Sequence, residues 1–391
     1  MLSKAPALKI YIIAGEASGD ILGGKLILAL KKLYQGNIEF FGIGGSQMQE
    51  AGLNSLFPME ELSLMGFVEI LPHIPHMLKR IKQTVDHITE VNPNIVITID
   101  SPGFNCRVAK KLDKNKIPLV HYVAPTVWAY KPKRAQKFAR LFSHLLTILP
   151  FEPPYFTKEG LPTTFVGHPI LENEEEQNNN KTDKENFRKK YNISSDAFIL
   201  LAMPGSRKTE ISRLLDVYIE AFKELNKKIP NLYIVIPVAE YLREFVTTKT
   251  NNLGLNIIVI TNPDEKKQLF ATANFGLIKS GTSTLEVAMA RIAMIVTYKV
   301  SFISYLIIKS LVKVKFATLI NLIADKEIIP EFLQQNCTAE NITNAILDLV
   351  NNKEKADLQL KLTAEALDKL KPALGNSPSE NAAKMVLGLV G

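Results

Sequence analysis

The chain has 391 residues, of which 46% are hydrophobic and 22% charged, so it is long enough for two domains with separate cores and is not globally disordered. Its formal net charge of +8 favours anionic partners such as phosphates, nucleotides or an anionic membrane surface, but no nucleic-acid-binding motif accompanies it and we expect no nucleic-acid partner. Two cysteines, Cys106 and Cys337, exclude a disulfide framework or a cysteine metal site, and no stretch reaches the roughly 18–20 apolar residues that span a bilayer, so we expect a cytoplasmic protein, soluble or peripheral.

Short apolar runs alternate with amphipathic segments in the first half, a pattern typical of α/β proteins with a parallel sheet. We predict strands near 8–14, 37–42, 94–99, 117–122, 144–148 and 163–166, and helices near 20–34, 75–90, 105–114, 133–142 and 151–159. The segment 172–186 is almost wholly polar and contains three consecutive asparagines. Because it cannot bury enough apolar area to fold alone, it predicts a linker or an exposed loop.

The alternation restarts after this segment. We predict strands near 197–203, 232–238, 256–260, 274–278 and 293–298, helices near 210–228, 239–249, 264–272 and 284–291, and a helical tail from about 339 onward. The expected organisation is two facing Rossmann-like domains, 1–171 and 187–355, and a helical tail, 356–391, with the option of packing back on the first domain. A ligand is expected in the interdomain cleft, at the carboxyl ends of the strands.

Two motifs in the first half follow predicted strands. Gly15 and Gly19 in AGEASGD allow a tight turn whose following helix can offer amides to an anion or sugar; the alternative is a plain turn capped by Ser18 or Asp20. In IDSPGFN, Asp100 ends an apolar strand, where a general base facing a cleft is useful; the alternative is helix capping.

A third segment, HYVAPTVWAY at 121–130, holds the only tryptophan and precedes a basic run. Aromatic side chains beside cations suit sugar stacking or contact with a lipid headgroup. A packed aromatic turn followed by a solvated helix face is the alternative.

Two motifs in the second half suit phosphate. Gly205, Ser206 and Arg207 offer backbone donors, a hydroxyl and a guanidinium at a predicted helix start, without the Walker pattern. The segment 280–286, SGTSTLE, places hydroxyls and a glycine at another helix start, with Glu286 on its first turn. It can hold a diphosphate at its amides and a ribose at the carboxylate, and it also fits a capping box.

An apolar segment at 67–78 precedes the cations Lys79, Arg80 and Lys82. It indicates either buried core or an interfacial membrane contact, and Pro72 and Pro75 argue against one regular core helix through it. Residues 300–315 repeat the combination more weakly. The apolar side chains concerned are Phe67, Val68, Ile70, Leu71, Ile74, Met77 and Leu78.

Taken together, the motifs resemble those of the lipid-A-disaccharide synthase family. They are AGEASGD, MGFVEI, IDSPGFN, HYVAPTVWAY, PFE, GHP, PGSRKTE, SGTSTLE and NLIA, in order through nearly the whole chain. The resemblance implies a GT-B fold and an inverting, UDP-sugar-dependent glycosyltransferase of lipid A and lipopolysaccharide biosynthesis, with neither a metal nor another cofactor. It further implies UDP-2,3-diacylglucosamine as donor, 2,3-diacylglucosamine 1-phosphate (lipid X) as acceptor, and a peripheral location on the cytoplasmic face of the inner membrane of a Gram-negative bacterium.

The resemblance also implies residue roles. Asp100 matches the catalytic base, Arg207 the arginine at the diphosphate, and Glu16 a further residue of the catalytic centre. The segment 67–78 matches the surface that contacts the membrane and acyl chains. The matched UDP- and donor-binding residues are Ser18, Gly205, Ser206, Arg207, Ser280, Gly281, Thr282, Ser283, Glu286 and Asn321.

Two other classes of function stay open. One is another GT-B enzyme acting on UDP-sugars, either a peptidoglycan glycosyltransferase with a lipid-linked acceptor or a UDP-GlcNAc 2-epimerase. The apolar segment 67–78 argues against the epimerase, whose substrate is water-soluble. The other is a non-catalytic peripheral membrane protein, which would leave the phosphate-ready turns unexplained. The sequence leaves open whether the chain forms a homodimer.

Overall fold

The computed structural model describes residues 7–63, 70–173, 181–301, 305, 314–372 and 375–390, with the backbone alone at 63, 70–74, 173 and 181. The chain divides into two compact units. Unit 1 comprises Met1–Glu172 and Leu370–Gly391, and unit 2 comprises Asn173–Lys369. The tail expected from residue 356 is therefore divided, because its first part belongs to unit 2.

Unit 1 contains a parallel sheet in the order β3-β2-β1-β4-β5-β6-β7. The residues of β1 from Ile10 to Ile13 are fully buried because helices cover both faces of the sheet, which explains why its strands are continuous apolar runs. Each predicted strand is present to within about two residues. The strands are β1 Leu8–Ala14, β2 Ile38–Ile43, β3 Asn54–Ser55, β4 Ile95–Ile99, β5 Leu119–Tyr122, β6 His144–Thr147 and β7 Thr163–Phe165.

Helices connect the strands of unit 1. They are α1 Ala17–Leu33, α2 Ser46–Glu50, α3 Glu60–Ser63, α4 Ile70–Val91, α5 Pro102–Ala109, α6 Arg134–Leu141 and α7 Pro153–Thr157, followed by a 3₁₀ turn, Pro169–Asn173. The prolines expected to interrupt a helix after residue 70 do not do so, since α4 begins at Ile70 and includes Pro75. Pro72 lies in the first turn, where the amide has no intrahelical partner, and Pro75 removes one bond near the helix start. Ile81, Thr84 and Ile88, on one face further along, are buried.

Unit 2 contains a second parallel sheet in the order β10-β9-β8-β11-β12-β13. Its strands are β8 Phe198–Met203, β9 Leu232–Pro237, β10 Asn256–Ile260, β11 Phe275–Lys279, β12 Met294–Tyr298 and β13 Glu331–Leu333. Its helices are α8 Lys181–Lys190, α9 Lys208–Lys228, α10 Arg243–Thr250, α11 Pro263–Thr272, α12 Ser283–Met289, α13 Leu319–Ala324, α14 Ala339–Asn351 and α15 Lys353–Asp368, with 3₁₀ turns at Glu240–Leu242 and Gln334–Asn336.

The second half of the segment predicted as a linker, 172–186, differs from that prediction. Residues 181–186 form the start of α8. The reason lies just beyond the polar segment: Phe187 is fully buried and its ring contacts that of Tyr191 at 5.0 Å. One buried aromatic side chain therefore anchors this polar helix within unit 2.

The C-terminal residues return to unit 1 and end in α16, Pro378–Gly388. Ala382, Ala383 and Val386 on this helix are fully buried in the core of unit 1. The Ser377 hydroxyl accepts a hydrogen bond from the amide of Glu380 and so caps the helix start. The helix α16 is thus part of the core of unit 1.

Candidate active site

The predicted motifs lie at the point of each sheet where the strand order reverses. In unit 1 this is the boundary between β1 and β4, whose carboxyl ends lead into the turns at 14–20 and 100–105. In unit 2 it is the boundary between β8 and β11, whose carboxyl ends lead into 204–207 and 280–283. Open parallel sheets bind ligands at such crevices, so each unit has one candidate binding crevice.

Asp100 lies on a sharply turned backbone between β4 and α5. Asp100 and Ser101 both have left-handed backbones, with φ of 47° and 40°. The carboxyl group is half-buried, and burial raises its pKa above the usual 3.8, partly offset by a hydrogen bond from the Ser101 amide. The side chain of Ser101 makes no capping hydrogen bond to α5, so the expected capping alternative is not observed there. A half-exposed carboxylate with a raised pKa is suited to accept a proton.

The turn after β1 presents Glu16 and Ser18, which are both exposed. Asp20, expected as an alternative cap of α1, is buried and serves a different helix. Its carboxylate accepts hydrogen bonds from the amides of Gly45 at 2.8 Å and Met48 at 3.0 Å. It thereby holds the glycine turn before α2 and the start of α1 together.

The aromatic segment 121–130 is packed against unit 1. The His121 ring is fully buried, accepts or donates a 2.7 Å hydrogen bond with Thr98 Oγ1, and contacts Phe138; burial lowers its pKa to about 3. Trp128 donates its indole N–H to Glu152 Oε1 at 3.2 Å. The packed-turn alternative therefore describes these side chains.

Unit 2 has a cavity of about 410 Å³ at the carboxyl ends of β8, β9, β10 and β11. Five of the predicted nucleotide-binding residues line it, together with residues that had no predicted role. The predicted ones are Gly205, Ser206, Gly281, Thr282 and Ser283. Those without a predicted role include Glu210, Val238, Asn262, Lys266 and Lys279.

Lys279 is the most informative of the residues missed from the sequence. Its ammonium group donates to Glu210 Oε1 at 3.1 Å, and both side chains are about one-fifth exposed, 19% and 21%. Glu210 Oε2 accepts the amide of Ser206 at 3.1 Å, so this carboxylate braces the Gly205–Ser206 loop. Burial raises the pKa of Glu210. The hydrogen bonds from Lys279 and Ser206, with the charge of Lys279, lower it by more, so the net effect is a lowered pKa. The only sequence signal for Lys279 was a cation at a strand's carboxyl end.

The remaining predicted residues of unit 2 have distinct surroundings. Arg207 is exposed at the N-cap position of α9. Glu286 makes no capping box, because Thr282 is the N-cap residue and has no side-chain capping bond; Glu286 instead pairs with Lys266 at 2.5 Å. Ser280 is buried and donates its hydroxyl to the carbonyl of Ala317 at 2.7 Å.

Asn321 is fully buried and its amide is fully used. Its Nδ2 donates to the carbonyl of Ile329 and to Glu331 Oε1, both at 2.8 Å. Its Oδ1 accepts the amides of Ile328 and Ile329. Glu331 also accepts the amides of Ala317 and Thr318, so this network fixes the backbone that receives the Ser280 hydroxyl.

The apolar segment is only partly described. Phe67 and Val68 lie outside the described residues, and Ile70, Leu71 and Ile74 are described by their backbone, at the start of α4. Met77 packs partly against the core of unit 1, whereas Leu78 is 55% exposed. Of the adjoining cations, Arg80 is bonded to Glu61 at 2.6 Å. Most of 300–315 lies outside the described residues too.

None of the helices in the described ranges is long and apolar enough to cross a membrane. No three His, Cys, Asp or Glu side chains among the residues that the structure covers come together as a metal site would require.

Comparison with known proteins decides the family. The family model described as lipid-A-disaccharide synthetase matches residues 10–386. The chain belongs to the lipid-A-disaccharide synthase family. It is 43% identical over 382 residues to the lipid-A-disaccharide synthase of Rickettsia prowazekii, covering 97% of this chain and 98% of that one. It is 39% identical over 388 residues to that of Rhodospirillum centenum, covering 98% and 95%.

Solved structures of GT-B proteins share the fold. A UDP-GlcNAc 2-epimerase from Neisseria meningitidis, bound to UDP-GlcNAc, has a TM-score of 0.65 at 14% identity, covering 97% of this chain and 99% of that one. MurG from Acinetobacter baumannii has a TM-score of 0.55 at 16% identity, covering 98% and 99%. The expected two-domain α/β class and GT-B relationship are thereby confirmed, and this family is one of UDP-sugar glycosyltransferases that form the lipid A disaccharide.

Proposed function

We propose that this protein transfers the diacylglucosamine unit of UDP-2,3-diacylglucosamine to the 6-hydroxyl group of lipid X, releasing UDP and forming the β-1,6-linked lipid A disaccharide 1-phosphate. The observation that carries the proposal is the family match over residues 10–386, with the motif turns of each unit at the strand-order reversal of its sheet. The excess of cations suits two anionic substrates.

Asp100 acts as the general base in this proposal. As the acceptor oxygen attacks the anomeric carbon, its proton passes to the Asp100 carboxylate, the new C–O bond forms with inversion, and the bond to the UDP oxygen breaks. A carboxylate whose pKa is raised by burial is a stronger base than an exposed one. Glu16 and Ser18, exposed on the turn beside Asp100 in the same sheet, would contact the donor sugar.

The nucleotide would occupy the cavity of unit 2. The amide of Gly205, the hydroxyl of Ser206 and the amides of residues 281–283 would receive the diphosphate, while the Ser206 amide stays bonded to Glu210. Arg207 and Lys279 would supply positive charge as UDP departs. Glu286 would receive the ribose hydroxyls through the carboxylate that it also presents to Lys266. The hydrogen bonds of Asn321 are all made within unit 2, and the Ser280 hydroxyl is bonded to the carbonyl of Ala317. We therefore assign Asn321 and Ser280 to holding the backbone around Ala317 and Ser280, not to contacting UDP.

We further propose attachment to the cytoplasmic face of the inner membrane through residues 67–78. The exposed Leu78 and the exposed cations Lys79 and Lys82 support this, each of these two cations being worth about 1 kcal/mol near an anionic surface, whereas Arg80 is already paired with Glu61. Replacing Val68, Ile70, Leu71, Ile74, Met77 and Leu78 by serine tests it in vesicle flotation. A folded, more soluble variant that leaves the vesicle fraction supports the proposal, whereas unfolding or aggregation would identify the segment as core.

One assay tests the proposed reaction against its alternatives. UDP release is measured from UDP-2,3-diacylglucosamine with and without lipid X, and UDP-GlcNAc is tested as a substrate for epimerisation. We expect release that depends on lipid X. Epimerisation would favour the epimerase alternative, and a folded protein inactive with every substrate would favour the non-catalytic one.

A further inference from the structure

The turn that carries Asp100 is built from two consecutive residues in an unusual conformation. Aspartate tolerates a left-handed backbone better than most residues, but Ser101, with φ of 40° and ψ of 54°, follows it directly. The Asp100 amide still donates to the carbonyl of Tyr122 at 2.9 Å, so β4 continues its pairing with β5 until the turn begins. The left-handed backbone is therefore confined to two residues, Asp100 and Ser101, between β4 and α5.

Asn105, in the first turn of α5, holds the Asp100 turn through hydrogen bonds to its carbonyl groups. Its side chain is fully buried, and its Nδ2 donates to the carbonyl of Asp100 at 2.8 Å and to that of Ile99 at 3.2 Å. The Asn105 amide donates to the carbonyl of Ser101 at 3.1 Å. One residue of the first turn of α5 thus bonds to the carbonyls of three successive residues around Asp100.

Gly15 makes room for the turn from the neighbouring strand end. A Cβ atom at Gly15 would lie 2.6 Å from Ser101 Oγ and 2.9 Å from Ser101 Cβ, closer than real contacts allow. The next neighbour, Leu62 Cβ, would lie at an ordinary 3.7 Å, and the backbone at Gly15 is not left-handed. The Ser101 side chain is therefore what excludes a side chain at position 15.

We propose that Gly15 and Asn105 are positioning residues for Asp100: the absent side chain of Gly15 and the amide of Asn105 together fix the direction of the Asp100 carboxylate. The inference rests on the proposed role of Asp100 as the base. It explains the pairing of AGEASGD with IDSPGFN, since the first glycine of one motif admits the second residue of the turn in the other.

A compensating pair of substitutions tests the contact. Gly15→Ala should lower kcat by roughly 10- to 10²-fold, because a displacement of about 1 Å at a catalytic group has effects of this size. The affinity for UDP, titrated calorimetrically, should not change, because its proposed site is in unit 2. Ser101→Gly should be near wild type, and the double variant Gly15→Ala/Ser101→Gly should regain most of the lost kcat.

Asn105→Ser provides a second, independent variant if Gly15→Ala does not fold. It should lower kcat at unchanged UDP affinity and move the acidic limb of the pH–rate profile. A folded Gly15→Ala variant with wild-type kcat, or a double variant without recovery, would overturn the positioning role. Asp100→Asn is measured in parallel: full activity in that variant refutes the proposed base, whereas an inactive Asp100→Asn beside an unaffected Gly15→Ala refutes only the positioning.

Discussion

Glu152, in the PFE motif, is expected to make the free energy of unfolding of unit 1 depend on pH. The neighbouring Trp128 allows this effect to be followed by fluorescence. Only 2% of Glu152 is exposed. Its Oε1 accepts the indole N–H of Trp128 at 3.2 Å and its Oε2 accepts the amide of Leu149 at 3.1 Å. Burial nevertheless outweighs these hydrogen bonds and raises the pKa of the carboxyl from 4.5 to about 7. The Glu152→Gln variant removes the titration while keeping the shape.

The sign and size of the effect follow from linkage. Because the folded-state pKa exceeds the unfolded one, folding takes up a proton between these two pKa values, and stability falls as pH rises from about 4.5 to about 7. Each pKa unit corresponds to about 1.4 kcal/mol, so the full effect is about 3 kcal/mol and the part between pH 5 and 8 is about 2–3 kcal/mol. Two histidines act oppositely: burial lowers the pKa of the fully buried His121 to about 3 and that of the half-buried His168 to about 4, so their contribution is lost as pH falls below 6.5.

The assay therefore compares the pH dependence of stability in two proteins, so that titrations common to both cancel. Trp128 is the only tryptophan and contacts both Glu152 and Phe151, so urea unfolding followed by its fluorescence reports on this part of unit 1. The stability of Glu152→Gln relative to the wild type should rise by about 2–3 kcal/mol between pH 5 and 8. Glu159→Gln, an exposed glutamate nearby, should show no such rise. An equal difference between Glu152→Gln and wild type at both pH values would refute the reasoning.

Three predictions concern turnover and nucleotide binding. Asp100→Asn should lower turnover by roughly 10²–10⁴-fold and keep UDP affinity; since ionisation of a half-buried carboxyl with a raised pKa opposes folding, its thermal midpoint at pH 7 should be no lower than wild type. Arg207→Ala and Glu286→Ala should both weaken UDP binding in calorimetry, Arg207→Ala more, and unchanged affinity in both would remove the nucleotide from unit 2. Lys279→Met should weaken UDP binding by roughly 10-fold or more but leave uridine binding unaltered. Lys355→Met, which breaks an exposed ion pair, is the control. Equal losses of affinity for UDP and uridine would argue against contact between Lys279 and the diphosphate.

The fold was predictable because burial on both faces of a parallel sheet writes long apolar runs into the sequence. β1 and β8 are examples, each a run of buried residues ended by a glycine-containing turn. The two-residue β3 has no such run, so its pairing with β2 could not be predicted. The helix α8 was missed for a related reason: a single buried side chain, Phe187, holds a segment whose composition indicates a loop.

The position of the motifs at the ends of the strands was predictable, but the contacts made by their side chains were not. Parallel strands place all their carboxyl ends at one edge, so motifs after β1, β4, β8 and β11 had to meet in pairs. Local patterns could not reveal that Asn321 spends all its hydrogen bonds within unit 2, or that Glu210 links Lys279 to the Ser206 amide. Those contacts join residues far apart in the sequence.

Two aspartates of unit 1 show why tertiary contacts decide function. Asp20 and Asp100 both lie in or just after strand-to-helix turns, beside glycine or serine, and the sequence offers a capping role for each. The Asp20 carboxylate is buried and accepts three amides, those of Gly45, Gln47 and Met48, so moving it or protonating it would break the start of α2. Asp100 is half-exposed and receives the amide of its own neighbour, while its backbone is held by Asn105. A proton acceptor needs a rigid backbone and a carboxylate that can change its charge without unfolding the turn, and of these two residues only Asp100 meets both requirements.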